Sequence, residues 1–203
     1  TLFYINLGLT GGAGVYYATY VLGNEEHLGV LTTAIFAPMA VVLAVLPSLT
    51  DRFGVWRINV ISTVIAIAGY LLAWFVRDSL TGVVIALVIA AAGNASFLGT
   101  FMAYVAAVGD NIRMTTGHDV QGLTFSASSI GIKIGQGVGA AAVGWMLGMV
   151  GFDGTATSQP AAVLTVVSLS YLGLPVLIAV ARLLVFLPFR IYEANDELRA
   201  DGA

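Results

Sequence analysis

The sequence contains no cysteine and only two histidines. Without cysteine the chain can form neither disulfides nor thiolate metal sites, and the redox compartment stays undetermined. His27 and His118 stand far apart and offer neither metal-ligand spacing nor a catalytic triad. A phosphate-binding glycine motif is also missing. The sequence therefore does not favour an enzyme, and we expect no bound cofactor.

Charge is scarce throughout the 203 residues. Charged residues make up 9% of the sequence, hydrophobic residues make up 59%, and the net charge is -3. The mean hydropathy of +0.94 lies far above the range of a soluble domain of this size. No basic cluster exists to neutralise phosphates, so we expect no nucleic-acid partner. This composition predicts an integral membrane protein surrounded by a lipid bilayer.

Six apolar stretches are long enough to span a bilayer as helices. They run over residues 2–22, 28–49, 58–76, 81–108, 123–150 and 161–189. A membrane β-barrel would instead need ~10-residue segments of alternating polarity, and that alternation is absent. We therefore predict an all-α membrane protein with one six-helix transmembrane bundle over residues 1–189 and a tail over residues 190–203. The polar segment 109–122 is expected to form the longest connection.

The arginines between the spans predict the orientation of the bundle. Those on one side of the predicted bundle are Arg52, Arg57, Arg113, Arg190 and Arg199. Only Arg77 lies on the opposite side, so the positive-inside rule places both ends of the chain on the cytoplasmic side of the membrane. We expect this membrane to be the plasma, or inner, membrane. The chain starts within apolar sequence, without an initiator methionine or a basic leader region. We expect it to be part of a longer protein.

Lys133 lies in the middle of the fifth apolar stretch, ten residues from its start. In a helix ten residues span ~15 Å, which places Lys133 close to the midplane of a ~30 Å hydrocarbon core. From there the ammonium cannot reach water by extending its side chain. All 11 acidic residues lie in loops, at span ends or in the tail. The counter-charge is therefore expected from a second set of helices or from an anionic ligand. Arg182, near the cytoplasmic end of the last span, is expected to extend to the membrane surface.

The residues around Lys133 divide the fifth span into two faces. One polar stripe, with spacings of three and four residues, contains Ser126, Ser129, Lys133 and Gln136. A ridge of small residues lies about 200° away from Lys133 and contains Gly131, Gly135 and Gly139. We interpret the ridge as a helix-packing face and the stripe as a substrate-binding surface. A structural cation held by carbonyls or by a carboxylate from another helix is the alternative for Lys133.

Two further sites are candidates. Asn94, near the middle of the fourth span, could bind a ligand hydroxyl, although an interhelical hydrogen bond explains it equally well. The turn after the second span contains an acidic residue, two arginines and a glycine: Asp51, Arg52, Gly54 and Arg57. This cluster is either a simple orientation signal or a conformational switch.

Several of these motifs resemble one family of transporters. The run Gln121–Ser126, followed by Ser129, Lys133, Gly135-Gln136, Gly144-Trp145 and Gly151-Phe152, resembles the signature of the last two helices of glycoside-pentoside-hexuronide cation symporters. Tyr16-Tyr17 with Tyr20–Gly23 is similar to the end of the seventh helix of that family. The segment from Thr50 to Arg57 resembles a degenerate Asp-Arg-x-Gly turn of the major facilitator superfamily.

This resemblance implies that the chain is the carboxy-terminal half of a twelve-helix symporter, in which two six-helix bundles alternate access to a midplane site. It also implies that Lys133 lines the cavity and takes part in sugar binding and coupling. The expected partners are a sugar, an amino-terminal six-helix half and a coupling cation, Na⁺ or H⁺, bound mainly in that half. Two alternatives remain: a facilitator of a lipid or an anionic metabolite, and a non-transporting six-helix scaffold or subunit.

Overall fold

The structure, a computed structural model, describes residues 1–156 and 158–201. Within these ranges it contains helices and short connections but no β-strand, which confirms the predicted all-α class. The helices are α1 (Leu2–Tyr16), α2 (His27–Phe53), α3 (Val55–Phe75), α4 (Leu80–Thr116), α5 (Gln121–Met149), α6 (Ala161–Ser168), α7 (Leu174–Phe186) and α8 (Ile191–Asp201). A π-helical segment, Tyr17–Val21, extends α1, and another, Leu169–Gly173, joins α6 to α7.

The length and apolarity of these helices make the chain a multi-pass membrane protein. Five helical segments in the described part of the chain are long and apolar enough to cross a membrane. The first helix adds 15 α-helical residues followed directly by five π-helical ones, which together reach the ~20 residues that a span requires. The two segments α6 and α7 form one continuous helix through the π-helical residues between them.

Small residues bring the helices of the bundle into close contact where they cross. α1 packs against α5 and α7, while α2 and α3 pack against α4. At the crossing of α3 and α4, a Cβ added to Gly69 or Gly93 would overlap the backbone of the facing helix at Ala90 or Ala66. In a bilayer, apolar side chains contact lipid as favourably as they contact another helix, so the hydrophobic effect does not drive helices together. Close packing of helix backbones is therefore a main source of helix association in membranes.

The segment 109–122, expected to be the longest connection between spans, is largely helical. α4 continues to Thr116 and α5 begins at Gln121. Gly117 ends α4 with a φ of 74°, and the Gln121 side chain donates from Nε2 to Oδ1 of Asp110 over 3.0 Å, which ties the two helix ends together. Hydropathy detects only the apolar part of a helix, so polar turns beyond the membrane carry no such signal.

The predicted tail contains a docked helix. α8 packs against the polar extension of α4, and Asn195 is buried between them. Its Nδ2 donates to the carbonyl oxygen of Ala107 over 2.9 Å, and Nδ2 of Asn111 donates to its Oδ1 over 2.8 Å. One amide therefore closes two hydrogen bonds that fix α8 on the same end of the bundle as the α2–α3 and α4–α5 connections.

Candidate ligand-binding surface

α5 contacts α1 through its ridge of small residues. Gly135 and Gly139 are buried there, and a Cβ added to Gly139 would overlap the carbonyl oxygen of Ile5. From the opposite side, a Cβ added to Gly8 of α1 would overlap the carbonyl oxygen of Gln136. A Cβ placed on Gly131 would lie 3.0 Å from the hydroxyl of Thr1, at the N-terminal end of α1. The two backbones therefore lie in direct contact, which fixes the orientation of α5.

This packing turns the polar stripe outward. Lys133, Ser126 and Ser129 are exposed and Gln136 is half-buried. The two serine hydroxyls donate to carbonyl oxygens of their own helix, Ser126 to Gly122 over 2.8 Å and Ser129 to Phe125 over 3.0 Å. The ammonium of Lys133 forms no ion pair with a carboxylate among the residues described. The stripe is therefore available to a partner or ligand outside this chain.

The exposed surface of α5 has a second, apolar part about 100° around the helix axis from the stripe. Its large side chains are Ile130, Ile134, Val138 and Trp145, between 48% and 70% exposed. The polar stripe continues instead through Gly137 and Gly144, where an added Cβ would meet nothing within 4 Å. Apolar side chains suit contact with lipid, whereas a cation beside small residues suits a protein interface or a water-filled cavity.

The level of Lys133 in the bundle is set by its neighbours on the ridge. Gly131 and Gly135, which precede and follow it, both lie against Thr1, and Gly135 also contacts Tyr4. Lys133 is therefore level with the first turn of α1, while α5 continues beyond this level toward Gln121. Its depth in a bilayer, which was predicted from the length of the fifth span alone, stays a prediction.

Asn94 does not share the surface of the polar stripe. It is 6% exposed, and its Nδ2 donates to the Tyr70 hydroxyl over 3.2 Å, which is the interhelical hydrogen bond considered above. Asn94 and Tyr70 line a cavity of about 30 Å³ together with Asn6 and Thr10. No residue of α5 lines this cavity. The structure thus separates two polar regions. One is the exposed stripe on α5, and the other is an interior group between α1, α2, α3 and α4 that consists of Asn6, Thr10, Tyr70 and Asn94.

Arg182 lies inside the bundle, and the expectation that it extends to the membrane surface was wrong. Its side chain is only 4% exposed, and Nη2 donates to the Thr63 hydroxyl over 3.3 Å. The guanidinium carbon lies 5.5 Å from the ring centroid of Phe3 and 5.1 Å from that of Phe97. These groups come from three other helices, so no local pattern around Arg182 could indicate them.

The candidate switch forms the shortest connection of the bundle. Gly54 alone separates α2 from α3 and has a φ of 83°, a conformation that favours glycine. Asp51, Arg52 and Arg57 are exposed around it, and none of them joins an ion pair within the described ranges. The Arg52 guanidinium carbon lies 5.3 Å from the ring centroid of Phe53. A role in conformational switching stays a prediction.

Comparison with known proteins supports the resemblance noted from the sequence. The family described as MFS/sugar transport protein matches residues 1–193. A curated relative, the "Putative glycoside/cation symporter YagG" of Escherichia coli (strain K12), is 29% identical over 82 residues. That alignment covers 40% of this chain and only 18% of the length of the relative.

Proposed function

The chain belongs to the MFS/sugar transport protein family, and from this membership we propose that it forms the carboxy-terminal half of a cation-coupled sugar symporter. An amino-terminal six-helix half completes the protein, and the two halves expose a shared site alternately to the two sides of the plasma membrane. The substrate is a glycoside or related sugar, and the coupling ion is Na⁺ or H⁺. Both ends of the chain lie in the cytoplasm.

The exposed polar stripe of α5 carries this proposal. It presents one ammonium, two hydroxyls and one amide on a helix whose other exposed part is apolar. A neutral sugar offers many hydroxyls, each of which donates and accepts, so a mixed set of neutral groups suits it better than a cluster of charges would. The stripe therefore forms this half's share of the sugar site.

Lys133 links sugar binding to the cation in this proposal. Its ammonium needs an anionic partner at low dielectric, and the described carboxylates of this chain leave it unpaired. Carboxylates of the amino-terminal half would satisfy both the ammonium and the coupling cation. Competition between the two cations for the same carboxylates would make the position of Lys133 depend on whether Na⁺ or H⁺ is bound.

Uptake by the full-length protein in proteoliposomes tests the proposal. We expect accumulation of at least one radiolabelled methyl glycoside from a panel of galactoside, glucoside and xyloside, driven by an inward Na⁺ or H⁺ gradient and abolished when the gradient is collapsed. Accumulation of carboxylates or phosphates instead would identify an anion facilitator. Absence of uptake in both panels, by folded protein, would favour a scaffold or subunit.

A further inference from the structure

Two buried amide oxygens in the interior group have no hydrogen-bond partner among the described residues. They are Oδ1 of Asn6 on α1 and Oδ1 of Asn94 on α4. Asn6 is 3% exposed and Asn94 is 6% exposed, so bulk water does not solvate either side chain. Both residues line the same cavity of about 30 Å³. Buried polar atoms are normally paired, which makes two unpaired acceptors facing one cavity a sign of a ligand.

The other polar groups around the cavity determine what can bind there. The Thr10 hydroxyl already donates to the carbonyl oxygen of Asn6 over 3.0 Å. The Tyr70 hydroxyl accepts from Nδ2 of Asn94, so its own hydrogen is free to donate. The cavity therefore offers the two amide oxygens as acceptors and, as donors, the Tyr70 hydroxyl and the Nδ2 group of Asn6. An ionised carboxylate has no hydrogen to give the amide oxygens, whereas a hydroxyl group donates its one hydrogen to one of them and accepts from Tyr70 or from the Nδ2 group of Asn6.

A bound cation is disfavoured by the charge nearby. Phe3 lines the cavity, and the Arg182 guanidinium carbon lies 5.5 Å from the centroid of its ring. A second positive charge so close to a buried guanidinium would be repelled at low dielectric, and no carboxylate lines the cavity to offset it. A neutral hydroxyl group meets no such cost.

The cavity lies next to a second cavity that reaches the exposed surface of the bundle. A neighbouring cavity of about 100 Å³ between α1 and α2 shares Leu7, Thr10 and Ile35 with it. That larger cavity reaches Gly11 and Phe36, which are exposed. Leu7 and Ile35 are half-buried, so rotation of their side chains could open the inner cavity to the outer one. A volume of about 30 Å³ admits one or two groups the size of a water molecule, and thus a hydroxyl or hydroxymethyl group but no sugar ring.

We propose that Asn6 and Asn94 bind one hydroxyl or hydroxymethyl group of the transported sugar in this cavity. The inference rests on the proposed function, since it assigns part of the sugar site to α1 and α4. It adds a second contact region to the polar stripe of α5. Discrimination among sugars would then depend on whether a hydroxyl stands at the position that enters the cavity, because without it the amide oxygen to which it would donate stays unpaired.

Binding of deoxy sugars by the full-length protein provides the test. The methyl glycoside of the panel that binds the unmodified protein most tightly, and its monodeoxy analogues, would be titrated calorimetrically against Asn6→Ala and Asn94→Ala. We expect each variant to bind the parent glycoside about 3- to 10-fold more weakly, the usual effect of one hydrogen bond. One analogue should bind the unmodified protein weakly and lose no further affinity in the variants.

Asn59→Ala is the matched control, because Asn59 is a buried asparagine that is hydrogen-bonded to Thr100 and does not line this cavity. It should leave glycoside affinity unchanged. Thermal melting would establish that each variant is folded, and either asparagine alone suffices for the test.

Two results would overturn the inference while leaving the proposed function intact. In the first, both variants bind the glycoside as the unmodified protein does. In the second, each variant weakens the binding of the parent glycoside and of every deoxy analogue by the same factor, which would indicate that the cavity holds ordered water. Failure of every methyl glycoside to bind the unmodified protein would instead refute the proposed function, and this inference with it.

Discussion

Arg182 donates a hydrogen bond from Nη2 to the Thr63 hydroxyl, 3.3 Å away, in the interior of the bundle. The rings of Phe3 and Phe97 lie against the same guanidinium, and no carboxylate in the described ranges forms an ion pair with it. Cation–π contacts and one hydrogen bond offset part of the desolvation cost of this charge. Two cations of the bundle are therefore in opposite situations: Arg182 is enclosed by its own helices, and Lys133 is exposed.

Replacement of Arg182 separates its charge from its volume. Arg182→Met keeps most of the volume and removes the buried charge, so we expect the stability of the full-length protein to stay within about 1 kcal/mol of the unmodified value. Arg182→Ala leaves a cavity and should lower stability by about 2 to 4 kcal/mol. Thermal melting in detergent measures both. Equal losses in the two variants would show that the guanidinium itself stabilises the bundle.

The contact between α5 and α1 predicts that replacing two neighbouring glycines by alanine changes the stability of the protein differently. Gly139→Ala would force a Cβ against the carbonyl oxygen of Ile5, and we expect a loss of about 1 to 3 kcal/mol. Gly137→Ala meets nothing within 4 Å and should be neutral or slightly stabilising, because alanine favours helix more than glycine does. Melting temperatures of the two variants check this; a stable Gly139→Ala protein would mean that the helices lie further apart.

Docking of α8 predicts local protection of its backbone amides. Asn195→Ala removes both hydrogen bonds to α4, so we expect hydrogen exchange in α8 to accelerate about tenfold or more. Asp196→Ala breaks only an exposed ion pair with Arg199 and should change exchange little. Mass spectrometry of the exchanged protein would resolve the two cases. Equal exchange in the two variants would indicate that α8 is held by other contacts.

Hydropathy predicted the helical class and the approximate positions of the spans, because each span must hide its backbone polar groups from lipid. It failed where helices continue into water. The extension of α4 to Thr116 and the helix α8 consist of polar residues whose folding depends on contacts between distant segments, such as Asn195 with Ala107. Pairings across that much sequence leave no periodic signal in either segment.

The polar stripe of α5 followed from helical periodicity, since the 3.6-residue repeat alone separates Lys133 from Gly135. The surroundings of Arg182 could not be predicted, because they depend on how other helices pack. Asn6 was missed although a signal existed: it is an amide within the first apolar stretch, the same feature that drew attention to Asn94. Only the three-dimensional structure shows that these two amides line one cavity.

The most direct test of the account is the effect of Lys133→Gln on sugar binding and cation-coupled uptake by the full-length protein. Ile134→Ala, on the adjacent apolar part of α5, is the matched control. We predict that Lys133→Gln weakens glycoside binding by about 10- to 100-fold or uncouples uptake from the cation gradient, and that Ile134→Ala changes neither. Unchanged affinity and unchanged coupled uptake in a folded Lys133→Gln protein would contradict the assignment of the α5 stripe to the sugar site.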